Sequence, residues 1–152
     1  MDVYATLKER NITLPEPLPK GGLYLPVNQV GNMLYVSGQG SIEGDKTLTG
    51  KAGSDVTLEE AQHAAYVCGL NTLAALEAYT GDLNKIEKCV KILGFVASDP
   101  SFTSQPQAMN GCSSLFAEVF GDNGMHARSA IGTNVLPSNL TVEVESIWKL
   151  KD

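Results

Sequence analysis

The segment from Thr57 to Gly81 constrains the fold more than any other part of the chain. Thr57-Leu58-Glu59-Glu60 sets a hydroxyl at a helix N-cap and a carboxylate three residues on, the pattern of a capping box. Ala61, Ala64, Ala65, Cys68, Thr72, Ala75, Leu76 and Tyr79 then recur at three- and four-residue steps, which places them on one face of a long helix. Gly81 is the expected stop. A stripe rich in alanine lets such a helix lie close against a sheet.

A second helix begins at Ser104-Gln105-Pro106-Gln107, with proline in the first turn, where its missing donor does no harm. Its stripe is Met109, Cys112, Leu115, Phe116, Val119 and Phe120, and Gly121 ends it. Around these helices lie the strand signals. Val27–Val30 and Met33–Val36 flank Gly31-Asn32 as a hairpin, and Ser37-Gly38-Gln39-Gly40 closes the second strand with small residues. A weak strand is expected near Lys46 to Leu48, and an apolar central strand over Ile86 to Ala97. The last two strands fall roughly at 126–133 and 141–150. Val3, Leu7 and Arg10 indicate a short helix over residues 2–10. The arm from Asn11 to Pro26 carries Pro15, Pro17, Pro19, Pro26 and Gly21-Gly22, and cannot be helical.

The resulting order is β-β-(β)-α-β-α-β-β after a helical arm. It predicts a single α+β domain over residues 1–152, with residues 1–21 as the arm. The expected core is a mixed six-stranded sheet with two helices on one face and a short N-terminal helix. Met33, Tyr35, Val142, Val144, Trp148 and the residues around Phe95 supply apolar groups for both faces of that sheet. An apolar face without helices favours an oligomer whose sheets pack together.

Charge narrows the function classes. The net charge is −6 and the pI about 4.8, which opposes a nucleic-acid surface. No apolar run is long enough for a membrane span, and the N-terminus lacks an apolar signal core, so a cytoplasmic location is expected. Cys68, Cys89 and Cys112 form no metal or disulfide pattern and read as buried free thiols. The only histidines, His63 and His126, lie far apart without metal-ligand spacing, so no metal is expected. Neither a dinucleotide-binding nor a P-loop glycine pattern is present, and no cofactor is implied.

The chemistry concentrates near the C-terminus. Arg128 stands in the apolar strand His126-Ala127-Arg128-Ser129-Ala130-Ile131-Gly132. Its fork of donors matches a carboxylate at two points and stays charged at any accessible pH. It needs either an internal partner, with Glu143 or Glu145 as candidates, or an anionic ligand. The small residues around it leave the space that a pocket requires. His126 and Ala130 share the face of Arg128. Glu143 and Glu145 read either as a solvated face or as a base that holds a water. Ser37 and Gly38 offer backbone without bulk, and Tyr24 sits in an arm that could close over a ligand.

These pieces resemble the Rid family of reactive-intermediate deaminases, also called the YjgF or L-PSP endoribonuclease family. The resemblance is carried by Gly31-Asn32-Met33-Leu34-Tyr35-Val36-Ser37-Gly38-Gln39, by Gly94-Phe95-Val96, and by Ala127-Arg128-Ser129, Leu136-Pro137 and Val142-Glu143-Val144-Glu145. It spans about residues 22–150. It implies a chorismate-mutase-like fold, a homotrimer and pockets between subunits. In those pockets Arg128 would bind the substrate carboxylate and Glu143 the hydrolytic water. Tyr24, the backbone at Ser37 and Gly38, and Asn110 on the second helix would line them. His126 replaces the proline and Ala130 the cysteine of many deaminase-competent members, and the arm is extra, as in a longer subgroup. The implied activity is hydrolysis of 2-imino or 2-enamino acids to 2-keto acids and ammonia. A non-catalytic module for small carboxylate metabolites is the alternative, and an endoribonuclease the third.

Overall fold

The structure, a computed structural model, describes residues 2–152. In chain order its elements are α1 (Val3–Glu9), β1 (Val27–Val30), β2 (Met33–Gly40), β3 (Ile42–Glu43), β4 (Lys46–Thr47) and α2 (Leu58–Thr80). There follow β5 (Ile86–Ala97), α3 (Gln105–Phe120), β6 (Ala127–Thr133) and β7 (Val142–Leu150). Short 3₁₀ turns precede β5, follow α3 and precede β7.

The capping box forms as expected. Thr57 Oγ1 accepts from the Glu60 amide at 3.1 Å, and the Glu60 carboxylate accepts from the Thr57 amide at 2.7 Å. At the other end Gly81 takes a left-handed φ of 71°, and its amide donates to Glu77. Between these signals the alanine stripe is buried, with Ala61, Ala64, Ala65 and Cys68 at most 1% exposed.

The main sheet has the order β1-β2-β7-β5-β6, antiparallel throughout except that β5 and β6 run parallel. The parallel pair is joined through α3, as a crossover requires. Leu34, Val36, Ile92, Val96, Val142, Val144 and Trp148 point into the core beneath α2 and α3. Trp148 meets Phe116 of α3 edge-on, with ring centroids 4.9 Å apart, and its indole donates to Ser146. The opposite face carries Tyr35 and Ile131, each 45% exposed, beside partly buried Leu93, Phe95 and Ile147. Among the described residues no helix covers that face.

The strand count departs from the six-stranded expectation. The main sheet has five strands, and β3 and β4 form a separate two-stranded ladder across Gly44-Asp45. Both edges of β2 are occupied, by β1 and β7, so the chain that runs on from it folds back on itself. Asn71 of α2 holds the start of this hairpin, donating to the carbonyls of Gly40 and Ile42. β2 runs to Gly40, where its small residues are expected to end it, through an irregularity between Val36 and Gln39.

The arm is anchored at its start. Asp2 caps α1, Asn84 accepts from the Val3 amide, and the Leu83 amide donates to the Tyr4 hydroxyl. Val3 and Leu7 are buried. All three cysteines are free and buried, and burial pushes their thiols up. Among the described residues, no helix is long and apolar enough to cross a membrane.

The two long helices touch backbone to backbone. A Cβ on Gly111 of α3 would sit 2.0 Å from the carbonyl oxygen of Gln62 in α2. The Gln62 side chain also donates to the Gln107 carbonyl at 2.9 Å. This crossing fixes how α3 is rotated against the sheet. Gly111→Ala is expected to destabilise the fold by about 1–3 kcal/mol through overpacking, read as a lower urea midpoint; an unchanged midpoint would contradict the close approach.

Candidate functional site

Register decides where the predicted residues fall. On β5, Ile92 is the partner of Arg128 in β6, and Phe95 is the partner of Glu143 in β7. Ile92 and Phe95 are three residues apart, and an odd separation along a strand means opposite faces. Arg128 therefore lies on the helix-covered face at the sheet edge, and Glu143 lies on the open face two strands inward. One chain does not bring them together.

Arg128 is half-buried, and its partners come from α3. Nη1 donates to Asn110 Oδ1 at 2.9 Å and to Ser113 Oγ at 3.1 Å. Both acceptors are neutral. Among the described residues Arg128 has no carboxylate within salt-bridge distance, and the one lysine or arginine ion pair is Lys149–Glu87, so the reading of Arg128 as an internal salt bridge to Glu143 or Glu145 does not hold. β6 is an edge strand, and neither glutamate of β7 reaches its helix-facing side. His126 and Ala130 share this surroundings, as the alternation anticipates. The His126 ring lies edge-on to Phe116 at 6.2 Å, and its Nδ1 is 3.2 Å from the Ala127 carbonyl. Burial lowers its pKa, and the nearby Arg128 charge lowers it further, against the raising effect of that carbonyl. Ala130 packs partly against the core.

The second group forms on the other side of the sheet. A cavity of about 420 Å³ is lined by Tyr24, Gly38, Gln39, Leu140 and Glu143, and by Leu18, Pro19 and Lys20 of the arm. A Cβ on Gly38 would lie 2.5 Å from a carboxylate oxygen of Glu143, so a side chain there would displace that carboxylate. The Tyr24 hydroxyl accepts from the Gly21 amide at 2.9 Å, which folds the arm's tip around its ring. Ser37 stands next to this cavity and pins the arm, donating through its hydroxyl to Leu25 and through its amide to Pro26. Burial first, and then the charge of Glu145, push the Glu143 carboxyl up.

The predicted residues thus fall into two groups. Arg128, Asn110, His126 and Ala130 form one, and Tyr24, Gly38 and Glu143, with Ser37 beside them, form the other. Sequence reasoning missed Ser113; its signal was its place three residues after Asn110, on the same helix face. From the arm it named Tyr24 alone, whereas Leu18, Pro19 and Lys20 also wall the glutamate's cavity. No cluster of three or more His, Cys, Asp or Glu that could hold a metal occurs among the described residues.

Residues 5–147 match the model of the family described as "YjgF/chorismate mutase-like, putative endoribonuclease". The chain belongs to this YjgF family. Protein Atu1372 of Agrobacterium tumefaciens, of unknown function, is 43% identical; the match covers 98% of this chain and 94% of that one at a TM-score of 0.89. A "putative endoribonuclease" of Shewanella oneidensis is 30% identical over 99% of this chain and all of its own (100%), with a TM-score of 0.95. RidA of an Antarctic Psychrobacter is 25% identical over 89% of this chain and 94% of its own, at 0.60. The YjgF chorismate-mutase-like fold is thereby shown.

The raised Glu143 carboxyl has a consequence for stability. A carboxyl that holds its proton more tightly when folded favours the folded state below its unfolded pKa. That contribution is lost as pH rises through the folded value. Glu143→Gln is therefore expected to raise the thermal midpoint at neutral pH and to raise it less below the ordinary glutamate range. Melting curves across that range check this, and a lower midpoint at neutral pH would count against it.

Proposed function

We propose that this YjgF protein hydrolyses 2-imino and 2-enamino acids to 2-keto acids and ammonia, in a cleft that two copies of the chain complete. The observation that carries the reading is the split site. A cation without a counter-ion and a half-buried carboxylate with a raised pKa lie on opposite faces of one sheet. The resemblance to the Rid family pairs these same two positions in one pocket. A second copy, with its Glu143 face against the edge strand of the first, reconciles the two. A closed ring of three such contacts gives three equivalent clefts, and the open face with Tyr35, Leu93, Phe95, Ile131 and Ile147 supplies apolar surface for it.

In that cleft Arg128 holds the substrate carboxylate through charge-assisted bonds. The enamine tautomerises to the imine. Glu143 takes a proton from a water, and the water oxygen bonds to the C=N carbon. The proton passes to nitrogen and gives the carbinolamine; Glu143 then takes its hydroxyl proton and delivers it to the amino nitrogen as the C=O bond forms and the C–N bond breaks, and ammonia and the 2-keto acid leave. A raised carboxyl pKa suits Glu143 to this task, because a more basic carboxylate takes a proton more readily. Such imines hydrolyse unaided, so orientation and electrostatics are enough. The endoribonuclease reading finds little support in a chain of net charge −6.

The test is complementation. With 2-aminoacrylate generated by a coupled dehydratase, Arg128→Ala and Glu143→Gln should each lower keto-acid release about 100-fold or more toward the uncatalysed rate. After the two variants are unfolded together and refolded, mixed rings contain one intact cleft, and about a quarter of wild-type activity should return. No recovery would overturn the shared cleft. Wild type equal to the no-enzyme control, with saturable keto-acid binding retained, would leave a carboxylate-binding module instead.

A further inference from the structure

The Arg128 guanidinium carries five N–H donors, two on Nη1, two on Nη2 and one on Nε. Nη1 is committed within the chain, to Asn110 Oδ1 at 2.9 Å and Ser113 Oγ at 3.1 Å. Two acceptors use both of its hydrogens. Nε and Nη2 have no hydrogen-bond partner among the described residues. A carboxylate can engage two donors at once either across Nη1 and Nη2 or across Nε and Nη2. The first edge is closed here, and the second is open.

The two acceptors are not equivalent. Asn110 is exposed, whereas Ser113 is half-buried. Both sit on α3 three residues apart and share a face. Gly111 lies between them, where the α2 backbone leaves no room for a Cβ. Helix α3 is thus seated against α2 between the two acceptors, and the serine is the sheltered point that orients the fork. A carboxylate in its place would orient the fork equally well but would neutralise it. A hydroxyl orients it and leaves the charge to a ligand.

We infer that Ser113 is a positioning residue that locks the Arg128 fork so that its Nε–Nη2 edge receives the ligand carboxylate. The edge assignment rests on the reading of Arg128 as the carboxylate site; the lock itself does not. The locked edge selects one planar carboxylate, side-on, and sets the direction in which the C=N carbon projects from it.

Nitrogen-15 spectra of the arginine side chains, with Arg128 assigned by its loss in Arg128→Lys, read the lock directly. Wild type should show two resolved Nη signals at low temperature, because rotation about the Nε–Cζ and Cζ–Nη bonds is restrained. Ser113→Ala should average them, and Ser113→Thr, which keeps the hydroxyl, should restore them. Calorimetry with pyruvate should give an affinity about tenfold weaker in Ser113→Ala than in wild type, with Ser113→Thr close to wild type. Turnover should show KM raised by the same factor and kcat within about twofold. A serine that serves only the fold would lower the thermal midpoint without this split. Averaged Nη signals in wild type, or Ser113→Ala equal to wild type in both spectra and pyruvate affinity, would overturn the inference. Resolved signals in a wild type that binds no pyruvate would overturn the edge assignment and the carboxylate reading, and would support the lock alone.

Discussion

A cation oriented by neutral oxygens keeps its full charge, and the candidate site depends on that condition. Asn110 and Ser113 hold the Arg128 guanidinium without cancelling it. They can do so because α3 presents both side chains to the edge strand. Helix α3 is fixed in turn by its glycine contact with α2 and by Phe116 and Phe120 around Trp148. The alanine stripe of α2 extends the same logic. Small side chains let the helices approach the sheet and each other, and close approach converts helix rotation into side-chain placement.

The carboxylate depends on a different set of contacts. Glu143 projects from the open face into a cavity that Gly38 lines beside it and that the arm walls. The arm holds its place because its first helix is tied to the turn before β5 and because Ser37 binds it next to the cavity. The N-terminal extension is thus part of the glutamate's surroundings. Partial burial there raises the carboxyl pKa. The same environment that costs stability at neutral pH makes the group a better base.

Much of this was legible in the chain. The capping box, the glycine stop at Gly81 and the alternation of β7 are local signals, and local geometry follows them. Arg128 stood out because a permanent charge in an apolar strand demands an explanation. The sixth strand was misplaced because a short polar strand records no preference for which edge it joins; the occupied edges of β2 made that choice. Ser113 was overlooked because a serine beside Asn110 has no chemistry of its own until the guanidinium of a distant strand is laid against it.

The sequence by itself determined the elements, the charge-bearing residues and the family pattern, since caps, periodicity and turn residues act over a few positions. The tertiary structure decided that Arg128 and Glu143 face away from each other. That outcome depends on the registers of β6 against β5 and of β5 against β7, which are set by how three strands distant in sequence bury their apolar sides under two helices.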